Sequence, residues 1–193
     1  MRKSGIVLAI VAGAVALPLA ACSSYTKEEQ AQIKAEERAA MFVQVEREAR
    51  DTIEMFKEKD PTASRFFNTA AGYAVFPKVT KGAAGIGAAH GNGVLYDRNG
   101  AWLGNAEVSQ GSIGAQIGGQ TFREIIFFED NAAIRKFKDS TLEFSANASA
   151  VAVESGAAAA ADYREGVAVF TMTRAGLMLE ASIGGQGFTY EPR

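Results

Sequence analysis

Cysteine and histidine are almost missing from this chain of 193 residues: each occurs once, as Cys22 and His90. One cysteine excludes a disulfide within the chain, and one imidazole excludes a multi-histidine metal centre. Any imidazole-dependent triad would rest on His90 alone. The carboxylates Asp97, Glu107, Glu124 and Glu129 show no spacing that distinguishes them from solvated loop and strand ends. No catalytic residue, metal site or cofactor is therefore expected. Excess positive charge is missing too, since 20 Lys and Arg stand against 22 Asp and Glu. That balance gives nucleic acid no electrostatic footprint to bind.

A long apolar run is also absent, apart from the stretch between Gly5 and Leu19 that follows Arg2 and Lys3. This stretch contains Pro18 and is shorter than the roughly 20 apolar residues that span a bilayer. A charged start, an apolar middle and a small-residue end form the pattern of an export signal. Leu19, Ala20, Ala21 and Cys22 match the lipobox of bacterial lipoprotein precursors, which the chain resembles here. The resemblance implies cleavage before Cys22, acylation of Cys22 and a lipid anchor such as palmitate. Ser23 after the cysteine points to the outer membrane, facing the periplasm, under the enterobacterial sorting habit. Residues 1–21 are read as the signal peptide, 22–41 as a tether with the polar first half of a helix, and 42–193 as one folded domain. Without Arg2 and Lys3 the charges are 18 basic against 22 acidic.

Residues 26–59 contain no Gly or Pro, and Thr26 and Glu29 have capping-box spacing. They predict one long helix, ended by Asp60 and Pro61. Phe42, Val45, Ala49, Ile53 and Phe56 recur every three or four residues, so an apolar stripe occupies only the second half. That half is expected to dock on the core while the first half is solvated. Seven basic and nine acidic residues make this a poor helix for an anionic membrane surface. After Pro61, a short helix is expected with Phe66 and Phe67 inward and Gly72 as its cap.

From Gly72 to Gln120 lie twelve of the chain's twenty glycines, among Ala, Val, Ile and Tyr, with Asn99 and Gly100 marking a hairpin turn. The segment between Gly82 and Gly93 fails as a nucleotide loop. Counting from Gly85 and Gly87, the sixth position is His90, and a strand rather than a helix follows. Lys81 precedes Gly82 instead of following a glycine, which excludes a Walker loop. Glycine at intervals along a strand instead lets another backbone or a ligand approach closely. Gly82, Gly85, Gly87, Gly91, Gly93, Gly114, Gly118 and Gly119 are read as structural on that ground. IGGQTF at 117–122 returns as IGGQGF at 183–188, through either equivalent strand roles or convergence.

EIIFF at 124–128 reads as an apolar strand and Asp130 as the cap of a short helix. EFSANASAVAV, GVAVFTMT and AGLMLEAS read as three further strands. The expected fold class is α+β: a long N-terminal helix, a mainly antiparallel, curled, glycine-rich β-sheet and short helices.

The pattern FxxAxGYAVFPxVxKGxxGIGxxxGxGVLY, followed by SQGSIGAQIGGQ and an apolar strand, resembles the SYLF family of lipid-binding domains, a family that includes a fungal actin-binding module. The similarity runs from about Phe42 to Phe188. It implies an α+β domain and a membrane phospholipid partner, with an envelope protein as the alternative partner. Actin binding is not expected of an exported bacterial chain. Lys78 and Lys81 flank the glycine segment and, with Arg123 and His90, are the candidates for holding a lipid headgroup. One departure lies at Trp102–Asn105, where bacterial members commonly carry Trp-Ser-x-Pro.

Overall fold

The computed structural model describes residues 26–144, 150–175 and 184–193; at 83–87, 112–118 and 175 it describes the backbone alone. The described residues divide into two units, one ending at Glu37 and the other within Arg38–Arg193. Helix α1 covers Lys27–Lys59. Its capping box is formed: the Glu29 carboxylate accepts from the Thr26 amide at 2.8 Å, and Thr26 Oγ1 accepts from the Glu29 amide at 3.2 Å. Within the second unit, Phe42, Ala49, Thr52, Ile53 and Phe56 are buried and Val45 is half-buried, as the spacing of the stripe requires. No helix among the described residues is long and apolar enough to cross a membrane.

Asp60 does more than end α1. Its buried carboxylate accepts from the Thr62 amide at 3.0 Å and caps a 3₁₀ turn at Pro61–Ala63. Helix α2, Ser64–Thr69, closes with the Ala70 amide on the Phe66 carbonyl, so Gly72 is not its cap. Gly72 instead opens strand β1, Gly72–Asp97. A Cβ there would lie 2.7 Å from the Tyr96 carbonyl, and this close approach explains the glycine better than a helix end does.

Strand β1 pairs antiparallel with β2, Trp102–Phe128, from Gly72 opposite Phe128 to Tyr96 opposite Trp102. The turn between them is held by Asp97, whose Oδ1 accepts from the amides of Asn99 and Ala101, both at 2.8 Å. Gly100 there has φ +77°, a conformation that favours glycine. Helix α3, Asn131–Lys138, is capped by Asp130 through the Ala133 amide, as its sequence predicts.

The described C-terminal strands are β3, Val151–Ala152, β4, Val167–Ala175, and β5, Gln186–Pro192. GVAVFTMT is thus a strand. Of EFSANASAVAV the described residues show the two residues of β3 and a bridge from Glu143 to Gly187; 145–149 and most of AGLMLEAS lie outside the described residues. The two hexamers have different places. IGGQTF runs inside β2, whereas IGGQGF breaks at a turn, with Gly185 at φ +74°, before β5 begins at Gln186. Equivalent strand roles are therefore not what the repeat encodes.

The sheet order is β1-β2-β4-β3, with β5 also on β2; β3 and β4 are parallel and the other pairs antiparallel. The long partner β2 gives one half, Thr121–Phe128, to β4 and the other, Gly104–Gln110, to β5. Both sheet faces are covered. Tyr73, Val75, Val94, Ile125, Phe127 and Phe170 join the apolar residues of α1 and α2, and Phe66 and Phe127 have ring centroids 5.3 Å apart. Ala74, Phe76, Leu95, Ile126, Phe128 and Phe188 join Ile134 and Phe137 of α3 on the opposite face. Burial on both faces is why YAVF and IIFF read as continuous apolar runs and not as alternations.

Candidate headgroup groove and buried acidic cluster

The glycines let β1 double back on itself. A Cβ on Gly93 would stand 2.5 Å from the Val75 carbonyl, and one on Gly91 would stand 2.8 Å from the Lys78 carbonyl. No side chain fits at such distances, so both sites require glycine. Gly82 differs, with open space around an added Cβ, and at Gly119 the nearest atom, the Lys81 carbonyl oxygen, is at an ordinary 3.8 Å. In the register, Gly87 lies opposite Ser112 and Gly118 opposite Ala83; Gly85 lies within the ladder's irregularity, and Gly114 has no register partner.

The bend brings Lys78 and His90 together. They line one open groove of about 450 Å³ with Thr80, Gly82, Ala88 and Asn92, and both side chains are exposed. Asn92 is anchored beside α1 by a contact from Nδ2 to Met41 Sδ at 3.6 Å. A β-bulge between Phe76 and Val79 places Lys78 out of the regular alternation. Lys81 does not join the groove, because one residue beyond Thr80 the chain alternates to the other face, and Lys81 pairs in register with Gln120.

Arg123 falls across the ladder from the bulge, between Phe122 opposite Val79 and Glu124 opposite Phe76. It is half-buried, and burial first, then the neighbouring Arg174, pushes its pKa down against the pull of Glu48. Arg174 donates to the Pro77 carbonyl at 3.3 Å and lies 3.8 Å from Glu48 Oε2. Arg174 was missing from the sequence expectation; its place at the end of a strand pattern, TMTR, carried no signal of the neighbours that β4 would supply. Cys22 lies outside the described residues.

A second polar site contradicts the reading of Glu124 as a solvated strand end. Glu124 is fully buried, on the face that carries Phe122, Ile126 and Phe188. The Gln186 amide donates from Nε2 to Glu124 Oε2 at 3.1 Å, and Gln110 donates to the Gly184 carbonyl at 2.7 Å. Burial drives the Glu124 carboxyl up to about 7, and the Gln186 hydrogen bond offsets this only in part. In the register Glu124 faces Thr171 of β4, and Gln110 faces Gln186 of β5. A cavity of about 480 Å³ opens at this cluster, lined by Ser109, Gln110, Glu143, Phe144, Gln186 and Gly187 among others. Because side chains two apart in a strand share a face, Glu124 falls on the side of Ile126 and Phe128, and this was the available sequence signal for its burial.

Residues 109–192, which carry Arg123, Arg174 and the Glu124 cluster, match the family model Ysc84, described as Las17-binding protein actin regulator. The chain is also 30% identical over 136 residues to Beta cell expansion factor A of Aeromonas veronii, a match covering 70% of this chain and 51% of that protein. It thus spans about half the length of the curated relative it matches. The GYAVFP and SQGSIGAQIGGQ segments fold into one β1–β2 ladder, and over residues 109–192 the chain matches the SYLF (Ysc84) domain family.

Proposed function

We propose that this protein is an envelope-anchored lipoprotein whose SYLF domain binds the anionic headgroup of a phospholipid without catalysis. The observation that carries the reading is the groove in which β1, by doubling back, sets Lys78 beside His90, with Arg123 across the ladder. The exposed Lys78 ammonium next to a strand bulge, where ladder hydrogen bonding is interrupted, suits a phosphate group. A basic side chain near an anionic membrane contributes only about 1 kcal/mol, so a few of them give a weak, salt-sensitive attraction. Acylation at Cys22 compensates by holding the domain at the bilayer, where weak affinity is enough. The SYLF match supports a lipid partner; the actin in the family description is a property named for that model.

Vesicle flotation at low and physiological salt tests the groove. Anionic vesicles should float the parent chain and Lys81→Ala alike, and Lys78→Ala markedly less. Equal flotation of all three, or none with any anionic lipid, overturns the site and favours an envelope protein as the partner. Cell fractionation of Cys22→Ala tests the anchor. The variant should leave the membrane fraction, and a distribution unchanged from the parent refutes acylation at Cys22.

A further inference from the structure

Arg123 stands where β2 is flanked by two β-bulges. On one side Pro77 and Lys78 of β1 together face Arg123, between the pairs Phe76–Glu124 and Val79–Phe122. On the other side Arg174 of β4 is the extra residue between Thr173, opposite Phe122, and Ala175, opposite Thr121. Bulges re-aim side chains and collect beside functional sites. Arg174 donates to the Pro77 carbonyl at 3.3 Å, and because β4 and β1 lie on either side of β2, its side chain crosses β2 where Arg123 stands. Two guanidinium groups are thereby brought together, and their mutual repulsion helps to push the Arg123 pKa down. Among the described residues the one carboxylate that acts on them is Glu48 of α1. Its Oε2 lies 3.8 Å from Arg174 Nη1, well beyond the about 2.8 Å of a charge-assisted hydrogen bond, while its Oε1 accepts from the Gln44 amide at 3.1 Å. Arg123 forms no salt bridge with a described residue. The Arg174 and Glu48 side chains are 39% and 38% exposed and Arg123 is half-buried, so a solute reaches all three.

We propose that Arg123 and Arg174 form an oxyanion site for a phosphate dianion, free or as a terminal phosphate monoester, and that Glu48 is the internal counter-ion this ligand displaces. Guanidinium forks match the oxygens of a phosphate in geometry as well as in charge. A dianion supplies two negative charges to two arginines, whereas Glu48 supplies one and does so from beyond hydrogen-bond distance. The loose ion pair also keeps the cost of displacing Glu48 small, because an exposed pair contributes little and the freed carboxylate returns to water. The proposal rests on the headgroup reading in giving Arg123 a phosphate partner. Its residues are otherwise separate, since neither Arg123, Arg174 nor Glu48 lines the Lys78 groove.

Calorimetric titration of the full chain with inorganic phosphate at low salt reads this site without lipid. Glu48→Gln keeps the shape and the acceptor for Gln44 but removes the competing charge, and should bind phosphate about threefold more tightly than the parent, the scale of one exposed ion pair. Arg123→Gln should bind about tenfold more weakly, the scale of a lost hydrogen bond to a charged group. Lys78→Ala should match the parent. Flotation with vesicles of phosphatidic acid, a monoester, against phosphatidylglycerol, a diester, then separates the sources. Flotation lost by Arg123→Gln with phosphatidic acid alone assigns the site to a lipid phosphate, and flotation unchanged in that variant assigns it to a soluble one. Phosphate binding by Glu48→Gln no tighter than by the parent, by Arg123→Gln as tight, or by Lys78→Ala as weak as by Arg123→Gln would each overturn the proposal. Flotation that depends on Lys78 alongside any of these results leaves the headgroup groove standing, so the two readings fail separately.

Discussion

Asp60 holds the backbone amide of Ala158, 98 residues away in sequence, with its carboxylate oxygen 2.7 Å from that nitrogen. The same carboxylate takes the Gly156 amide at 3.1 Å, so one side chain at the end of α1 fixes the 3₁₀ turn at Ala157–Ala160. The Arg65 guanidinium adds a bond to the Ala161 carbonyl from α2. The alanine run, which has little side-chain chemistry of its own, is positioned by these charged partners.

Removing this carboxylate should therefore cost more than a surface substitution. Asp60→Ala leaves the Ala158 amide buried without its acceptor and is expected to destabilise the protein by roughly 1.5–3 kcal/mol. Burial alone would raise the Asp60 pKa, but the bonds from Thr62, Ala158 and Gly156 bring it below the ordinary carboxylate value. Its contribution is then present above the unfolded pKa and lost as pH falls through the lower folded value. Urea denaturation of parent and variant between pH 3 and 7 should show the difference shrinking at the acid end.

Gly93 and Gly82 make a matched pair. A methyl at Gly93 meets the Val75 carbonyl at 2.5 Å and the Phe76 ring, whereas at Gly82 it meets nothing within 4 Å. Gly93→Ala should lower the thermal midpoint by several degrees, with a cost of about 1–3 kcal/mol or more. Gly82→Ala should change it little or raise it slightly through the unfolded chain. Equal melting of the two variants would show that β1 does not need to double back so tightly.

Glu124 predicts an unusual pH dependence of the opposite sign to that of Asp60. Its folded pKa of about 7 lies above the ordinary carboxyl value of 4.5, so between these limits the folded state holds the proton more tightly. Its contribution to stability is complete below the unfolded pKa and is lost as pH rises through about 7. The loss is on the order of 3 kcal/mol for the full shift. Glu124→Gln should remove this decline, and chemical denaturation at pH 5 and pH 8 checks it: parent stability should drop more than that of the variant.

The helices, their Thr26 and Asp130 caps, the turn at Asn99–Gly100 and the buried stripe from Ala49 to Phe56 were all legible, because each depends on residues within a few positions of one another. Lys78 and His90 were singled out separately; what the sequence did not display was that a bend in one strand makes them neighbours. Lys81 and Lys78 look equivalent along the chain, yet a bulge and one step of alternation put them on different faces. Arg174 and Gln186 acquire their meaning from strands β4 and β5, whose pairing with opposite halves of β2 is a long-range choice. Short strand β3 had too few residues to carry a period at all.

The division of β2 between two partners also sets an order of assembly. The smallest loop to close is the turn at Asp97–Ala101, and each further pair of the β1–β2 ladder lies next to one already made. Joining Gln186 to Gln110 closes a far longer loop and needs the ladder as its template. The cavity wall that Gln186 provides therefore forms only after the β1–β2 ladder. Glu124 thus gains its Gln186 hydrogen bond only in molecules in which β5 has docked on β2, so the setting of this buried carboxyl depends on the long-range pairing that the ladder makes possible.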